Sequence, residues 1–432
     1  MSKQQLEVLV RVKSPLLVAS RRPTTLLLET MRYIPGAVLR GAVAEILLAR
    51  CADEKHIKDH NNCPVRGDCD FYHLFGGPEQ IIFENAYPAK YKCSHSFPLP
   101  KTARSCKQHR GFLNPDKPYQ HGIRDTLIKQ YAWEEAYLPA IGDTGVPPVV
   151  PYLEEFRCPT CDGEQDVLPE SYRFYARLEE GPYQTVKVPV QRTSRVAINR
   201  RTATAEEGLL YTIETISEDQ VFFKGIVTAD ERQKTLLHDT LEQVTTLGHG
   251  RSRGLGCVSV MAEESAEESS PTMEERLARF NALMGNEHAF HSRVKAALGQ
   301  AEKISPNDYG EWFFTVDLLS DAIPTRDDLP VARLEPEIVA RILEVDSKSI
   351  SLARAWASQH VVSGRLAAGL PRGTQLAIAM GSVFLYKVQG IPRGELLPKL
   401  QLIEKQGIGR GRERGYGRVL VCAPFHLEVN EV

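Results

Sequence analysis

Gly407-Ile408-Gly409-Arg410-Gly411-Arg412-Glu413-Arg414-Gly415-Tyr416-Gly417 runs straight into Arg418-Val419-Leu420-Val421. An earlier stretch, Gly248-His249-Gly250-Arg251-Ser252-Arg253-Gly254-Leu255-Gly256, runs in the same way into Cys257-Val258-Ser259-Val260. Each is dense in glycine and arginine, follows a helical segment and leads into a strand. Glycine lets backbone N–H groups come close to a ligand because no Cβ intervenes. Arginine adds a permanently charged planar fork that suits phosphate. One such loop alone reads equally as a tolerant connection between a helix and a strand. Two at matching positions favour contact with nucleic-acid phosphate. The position of the loops argues against a dinucleotide fingerprint, because neither lies between a strand and a following helix.

Outward from the loops, the pattern predicts a duplicated α+β fold. The first half opens with a strand over 6–12 and a helix over 32–50, where small and apolar residues recur at helical spacing. From 51 to about 161 the chain is rich in Pro, Cys, His and charge, and reads as irregular loops. Strands follow over 171–178, 185–190, 209–216 and 220–227, then a helix near 230–245, the first glycine loop and a closing strand. The acidic, proline-ended stretch 262–271 is the natural linker. Beyond it come a helical segment at 274–279, strands over 312–318 and 381–388, a helix over 394–405, the second loop and a last strand. Each half thus reads as a βαββαβ-like unit, with domains over 1–261 and 276–432, a linker over 262–275 and a Cys-rich insertion over about 51–165 in the first.

A chain of 432 residues exceeds one ordinary core, in line with two domains. A net charge of −2 argues against a general polyanion binder and leaves room for a local basic groove. No apolar run reaches about 18 residues, so no membrane span is expected. The first strand begins too early to leave room for a signal peptide, and the expected location is cytoplasmic.

A second basic stretch, Gln191-Arg192-Thr193-Ser194-Arg195-Val196-Ala197-Ile198-Asn199-Arg200-Arg201-Thr202-Ala203-Thr204, lies between two strand pairs. It reads as a solvated loop or as an arm over a nucleic-acid backbone, with Arg192, Arg195, Asn199, Arg200 and Arg201 as contacts. Seven of the nine cysteines precede residue 162, and in a reducing compartment such clustering favours metal over disulfides. Cys158-Pro159-Thr160-Cys161 is a knuckle-type pair whose thiolates can face one tetrahedral zinc ion. Cys106 with His121 or His109 would complete it. The rival set is Cys51, Cys63, Cys69 and Cys93, with His60 and His73 as further candidates. His109, His121 and Asp125 could serve acid–base cleavage of RNA, but loop histidines are more often structural or metal-bound, and no catalytic residue is assigned.

Ile34-Pro35-Gly36, Leu39-Arg40-Gly41, Leu74-Phe75-Gly76 and Ile82-Phe83-Glu84-Asn85-Ala86, with the terminal glycine loop, resemble the RAMP superfamily of CRISPR proteins. Ser105-Cys106-Lys107, His121-Gly122-Ile123-Arg124-Asp125, the Cys-x-x-Cys pair, Ala197-Ile198-Asn199-Arg200 and Gly208-Leu209-Leu210-Tyr211 are similar to the Csx-ten family, the type III-D subunit of the Cas-five group. Met380-Gly381-Ser382-Val383-Phe384 looks like part of the second domain of that group. The resemblance implies two ferredoxin-like (RRM-like) RAMP domains and an RNA-binding, non-catalytic subunit of an antiviral effector complex. Such a subunit would cap the 5′ handle of the CRISPR RNA (crRNA) beside the large polymerase-like subunit and the backbone RAMP subunits. The RNA contacts would come from Gly248, His249, Gly250, Arg251, Arg253 and Gly254, from Arg40 and the basic arm, and from Arg410, Arg412, Arg414 and Tyr416, with Tyr416 or Phe384 available for stacking. The alternative is a metal-independent RAMP endoribonuclease that processes precursor RNA. Of the two loops, the first is the expected holder of the handle, and the second the expected shaper of the domain pairing or contact for a neighbour.

Overall fold

A computed structural model describes residues 3–19, 27–51, 60–76, 81–89, 95–114, 117–144, 157–169, 173–177, 183–198, 201–202, 204–218, 221–265, 271–297, 310–327, 329–365 and 371–429. In chain order the first half carries β1 (Lys3–Val12), α1 (Gly36–Ala49), β2 (Ile82–Phe83), α2 (Leu127–Thr144), β3 (Val190–Ile198), β4 (Ala205–Ile216), β5 (Phe222–Asp230), α3 (Glu231–Glu242) and β6 (Val258–Glu264). The second carries α4 (Met273–Ala297), β7 (Trp312–Leu318), α5 (Pro336–Ile342), β8 (Ile350–Trp356), β9 (Gln359–Arg365), β10 (Pro371–Ile378), β11 (Val383–Val388), α6 (Arg393–Gln406), β12 (Val419–Val421) and α7 (Pro424–Glu428).

The first sheet runs β6-β1-β5-β2 and the second β12-β7-β11-β8, all neighbours antiparallel. Counting core strands in chain order, both run fourth-first-third-second. Strand alternation places Leu6, Val8, Val10 and Val12 on one face, all buried, in a core shared with Leu39, Val43 and Leu47 of α1 and Leu237 and Leu241 of α3. A capping box starts α3: the Asp230 carboxylate accepts from the Gln233 N–H while the Gln233 side chain accepts from the Asp230 N–H.

Each half also carries a hairpin between its second and third core strands, β3–β4 in one and β9–β10 in the other. Both are rooted alike. Leu16 exchanges both backbone hydrogen bonds with Ile216, and Ala322 does the same with Ile378. The expected basic arm is therefore no loop: Gln191 to Ile198 form most of β3, paired with β4 from Val190↔Ile216 onward. β-branched Val190, Thr193, Val196 and Ile198 suit the extended ladder. The strand expected over 185–190 lies at Tyr183–Val186 instead.

The expectation of irregular structure over 51–161 is corrected by α2. Leu127, Ile128 and Tyr131 of this helix are buried in the core of the second half, beside Met273, Leu277, Phe280 and Met284 of α4. Both faces of β7 are covered in consequence, and all seven of its residues are buried. Asn281 of α4 accepts from the Phe313 N–H and donates to the Phe313 carbonyl, both at 2.8 Å, completing the ladder beside the short β12. The insertion is thus anchored by the other half's core.

Candidate nucleic-acid interface and metal centre

The two glycine loops have one backbone fold. The N–H groups of Leu247, His249 and Gly256 donate to Gly256, Leu17 and Pro15, and those of Ile408, Arg410 and Gly417 to Gly417, Ile323 and Asp321. Each loop holds a single 3-10 turn, Arg251–Arg253 or Arg412–Arg414, between left-handed glycines. A Cβ on Gly256 would sit 2.1 Å from the Leu247 carbonyl oxygen, and one on Gly417 1.8 Å from that of Ile408. Glycine is dictated at these two positions by the loop closing on its own chain. In the first loop these and internal turn bonds also occupy the N–H groups of His249, Arg253, Gly254, Leu255 and Gly256, so the turn presents chiefly its side chains.

Their surroundings differ. Arg251, Ser252, Arg253 and Gly254 are exposed, and a Cβ on Gly254 would meet open space. A Cβ on Gly415, the equivalent residue, would sit 2.5 Å from Asn85 Oδ1 and 3.2 Å from the Gly36 nitrogen. The second loop is wedged against the start of α1, where Asn85 Oδ1 accepts from the Gly36 N–H at 2.9 Å. Arg418 pairs with Glu84, and the Tyr87 hydroxyl donates to the Leu319 carbonyl, across the same seam. The Pro-Gly entry, the Phe83 strand and Asn85 thus meet at one helix end. Arg40 packs its guanidinium 4.4 Å over the ring of Phe75, and burial lowers its pKa.

Two recesses arise where a glycine loop faces the hairpin of its own half. The first, about 340 Å³, brings together His249, Gly250 and Arg253 of the loop with Arg195 and Tyr211 of β3–β4. Arg195 stands opposite Tyr211 in the ladder, and Arg253 Nη1 donates to the Tyr211 hydroxyl at 3.2 Å. Arg251 points the other way, 2.7 Å from Glu45 of α1. The second is a cleft of about 560 Å³ where Arg414 and Tyr416 face Gln359 and His360 of β9, the approach to α1 and the first hairpin. Arg32, Tyr33, Arg173 and Arg192 line it too. Glu214, almost fully buried, accepts from Arg32 at 3.2 Å and Arg192 at 3.1 Å and holds both at the wall. Sequence reasoning passed over Arg32, Tyr33, Arg173 and His360, which carry no motif of their own. Arg410 and Arg412 turn to a separate recess with Arg341 of α5. Arg201 sits in the exposed hairpin turn. Asn199, Arg200 and Cys93 lie outside the described residues.

A three-stranded sheet builds the candidate metal centre. Ala103–Cys106 is flanked by Ile123–Asp125, which follows His121, and by Gln165–Asp166, which follows the knuckle. Strand pairing therefore carries Cys106, His121, Cys158 and Cys161 together, with all four ligand atoms within 4.8 Å of one another. Cys106 Sγ lies 3.7 Å from Cys161 Sγ, and Cys158 Sγ 3.3 Å from His121 Nδ1. A tetrahedral zinc ion calls for edges of about 3.8 Å between sulfurs and about 3.6 Å from sulfur to nitrogen. Burial works against the Cys158 thiolate, yet the N–H groups of Cys161 and Thr160 hold its pKa below the usual thiol range. These residues fit zinc, which would act there as a structural cross-link. His109 stacks on the His121 ring at 4.2 Å and stays outside the set. Of the rival cysteines, Cys51 and Cys69 converge with His60, and Cys63 is not among them. Asp125, the acid read beside them in the sequence, has its Oδ2 bonded to His426.

Fold and site together define a duplicated, antiparallel α+β protein with an arginine-lined recess in each half. A family model for the RAMP superfamily matches residues 9–259, and the chain belongs to that superfamily. No curated protein matches it. Among solved structures, a chain of the type III-B Cmr-beta complex bound to cognate target RNA and AMPPnP is similar, at 11% identity and a TM-score of 0.41, over 93% of this chain and 89% of that one. A chain of the Csm3–Csm4 subcomplex of the type III-A CRISPR-Cas interference complex is similar at 12% identity and a TM-score of 0.34, over 88% and 92%. No described helix is long and apolar enough to cross a membrane.

Proposed function

We propose that the chain is a non-catalytic RNA-binding subunit of a type III-D CRISPR effector complex, a member of the Csx-ten family that caps the 5′ handle of the CRISPR RNA in antiviral defence. The observation that carries this reading is the inequality of the two loops. The first leaves its arginine turn exposed beside Arg195 and Tyr211, a set suited to phosphate and to an unstacked base. The second spends the equivalent turn on joining the halves. Membership of the RAMP superfamily supports the reading. The fourth-first-third-second strand order supports two ferredoxin-like (RRM-like) domains, over 1–261 and 276–432, joined by 262–275. The partners are the large polymerase-like subunit and the backbone RAMP subunits, in the cytoplasm. A zinc ion on Cys106, His121, Cys158 and Cys161 cross-links the insertion. The RNA is held and not cut, in keeping with Asp125 being committed to His426.

Labelled repeat RNA incubated with the purified protein, alone and in the assembled complex, tests this. Retention without cleavage, lost in Arg251→Ala with Arg253→Ala, is the expected result. Metal-independent cleavage would establish the endoribonuclease instead. Absence of RNA affinity even in the complex would leave only a protein scaffold.

A further inference from the structure

The two cysteine groups read in the sequence as rivals for one ion, but they occupy different places and each closes on itself. We propose that the chain binds a second thiophilic divalent ion of the zinc type, at Cys51, His60 and Cys69. Their ligand atoms lie within 4.8 Å of one another. His60 Nδ1 is 3.5 Å from Cys69 Sγ, close to the tetrahedral sulfur–nitrogen edge. The His60 ring is buried, held 4.4 Å from the ring of Phe71, and its Nε2 has no hydrogen-bond partner among the described residues. Nδ1, the ring nitrogen that faces Cys69, is thus the one placed to ligate.

The placement gives the ion work that the apolar core does not do. Cys51 directly follows the end of α1, with its N–H on the Leu48 carbonyl. His60 and Cys69 belong to two short turns leading into the helix Asp70–Phe75. Phe71 and Phe75 of that helix pack on the first core, and Phe75 carries Arg40. An ion at this point pins the root of the insertion to α1, while the Cys106–Cys161 centre pins its far side. Loop-rich segments without a core of their own need such cross-links. Three protein ligands leave a fourth position for solvent.

Elemental analysis of full-length protein purified without chelator, with zinc counted per chain, decides the matter. Two ions are expected in the wild type, one in Cys51→Ser with Cys69→Ser, and one in Cys158→Ser with Cys161→Ser. Should the first double variant fail to fold, His60→Gln with cobalt substitution gives the same answer: thiolate-to-cobalt absorption falls by the share of one site. A single ion in the wild type that is lost only with Cys158 and Cys161, or an unchanged cobalt spectrum in His60→Gln, would overturn the proposal. The count involves no RNA, so failure of the RNA-binding reading would leave it standing, and its own failure would leave that reading intact.

Discussion

Asp125 Oδ2 lies 2.8 Å from Nδ1 of His426, and both side chains are fully buried. On the ring's other side Asp317 Oδ1 is 2.6 Å from Nε2. Asp125 belongs to the insertion, Asp317 to the central strand β7 and His426 to α7, so one imidazole ties three segments together. Burial alone would depress its pKa, but Asp317 and Asp125 outweigh burial and raise it to about 10.

The folded-state pKa is above the ordinary histidine value of about 6.5. The associated stability is therefore fully present below pH of about 6.5 and is lost as pH rises through about 10. Thermal unfolding of the wild type should show a falling midpoint over that window. His426→Gln should lose most of this slope and be destabilised by about 3–5 kcal/mol at neutral pH, because two carboxylates stay buried without their cation. A parallel slope in wild type and variant would refute the assignment.

Replacing Arg251 and Arg253 by Ala should weaken guide-RNA binding and flatten its logarithmic salt dependence by about 1.4, the share of two single-strand phosphate contacts. Fold stability should change by less than about 1 kcal/mol, since the Arg251–Glu45 pair and the Arg253–Tyr211 hydrogen bond are both exposed. Filter binding across a salt series reads both numbers. Replacing Arg410 and Arg412, which share their recess with Arg341, should flatten the slope less.

Gly254→Ala and Gly415→Ala form a matched pair. Both residues have positive φ, 77° and 91°, so each alanine should cost about 1–2 kcal/mol from the left-handed backbone. Only the second introduces a Cβ into Asn85 and the end of α1. Chemical denaturation should show Gly415→Ala to be the more destabilising. Equal costs would mean that the seam does not need this contact.

Leu127→Ala should destabilise by about 2–5 kcal/mol, the range for emptying a fully buried leucine site. The loss should register in the second half, because Leu127 belongs to that core. Fluorescence of Trp356, whose Nε1 donates to Gln130 of α2 at 3.1 Å, reports it locally. An unfolding midpoint unchanged at Trp356 would contradict the shared core.

What the amino-acid order determined by itself was whatever rests on local periodicity and local backbone chemistry. The alternation in β1, the helix expected near 230–245, the two glycine loops and the Cys158–Cys161 knuckle each rest on a short run of residues, and each stands in the structure where the sequence places it. Neighbouring residues dictate such features through φ/ψ preference and side-chain spacing. The tertiary structure decided what depends on partners far along the chain. Leu127, Ile128 and Tyr131 are apolar at helical spacing within a Pro- and Cys-rich stretch, but only contact with α4 and β7 makes α2 part of the second core. Asp125 reads in the sequence as a loop acid, and only the fold brings His426, far along the chain, to it. Arg253 and Arg414 occupy equivalent places in equivalent loops. One is open and the other sits by the seam because Asn85 and Gly36 lie against the second loop and, among the described residues, nothing comparable lies against Gly254. Local sequence can make the same loop twice, and the packing of the two halves is what makes the copies unequal.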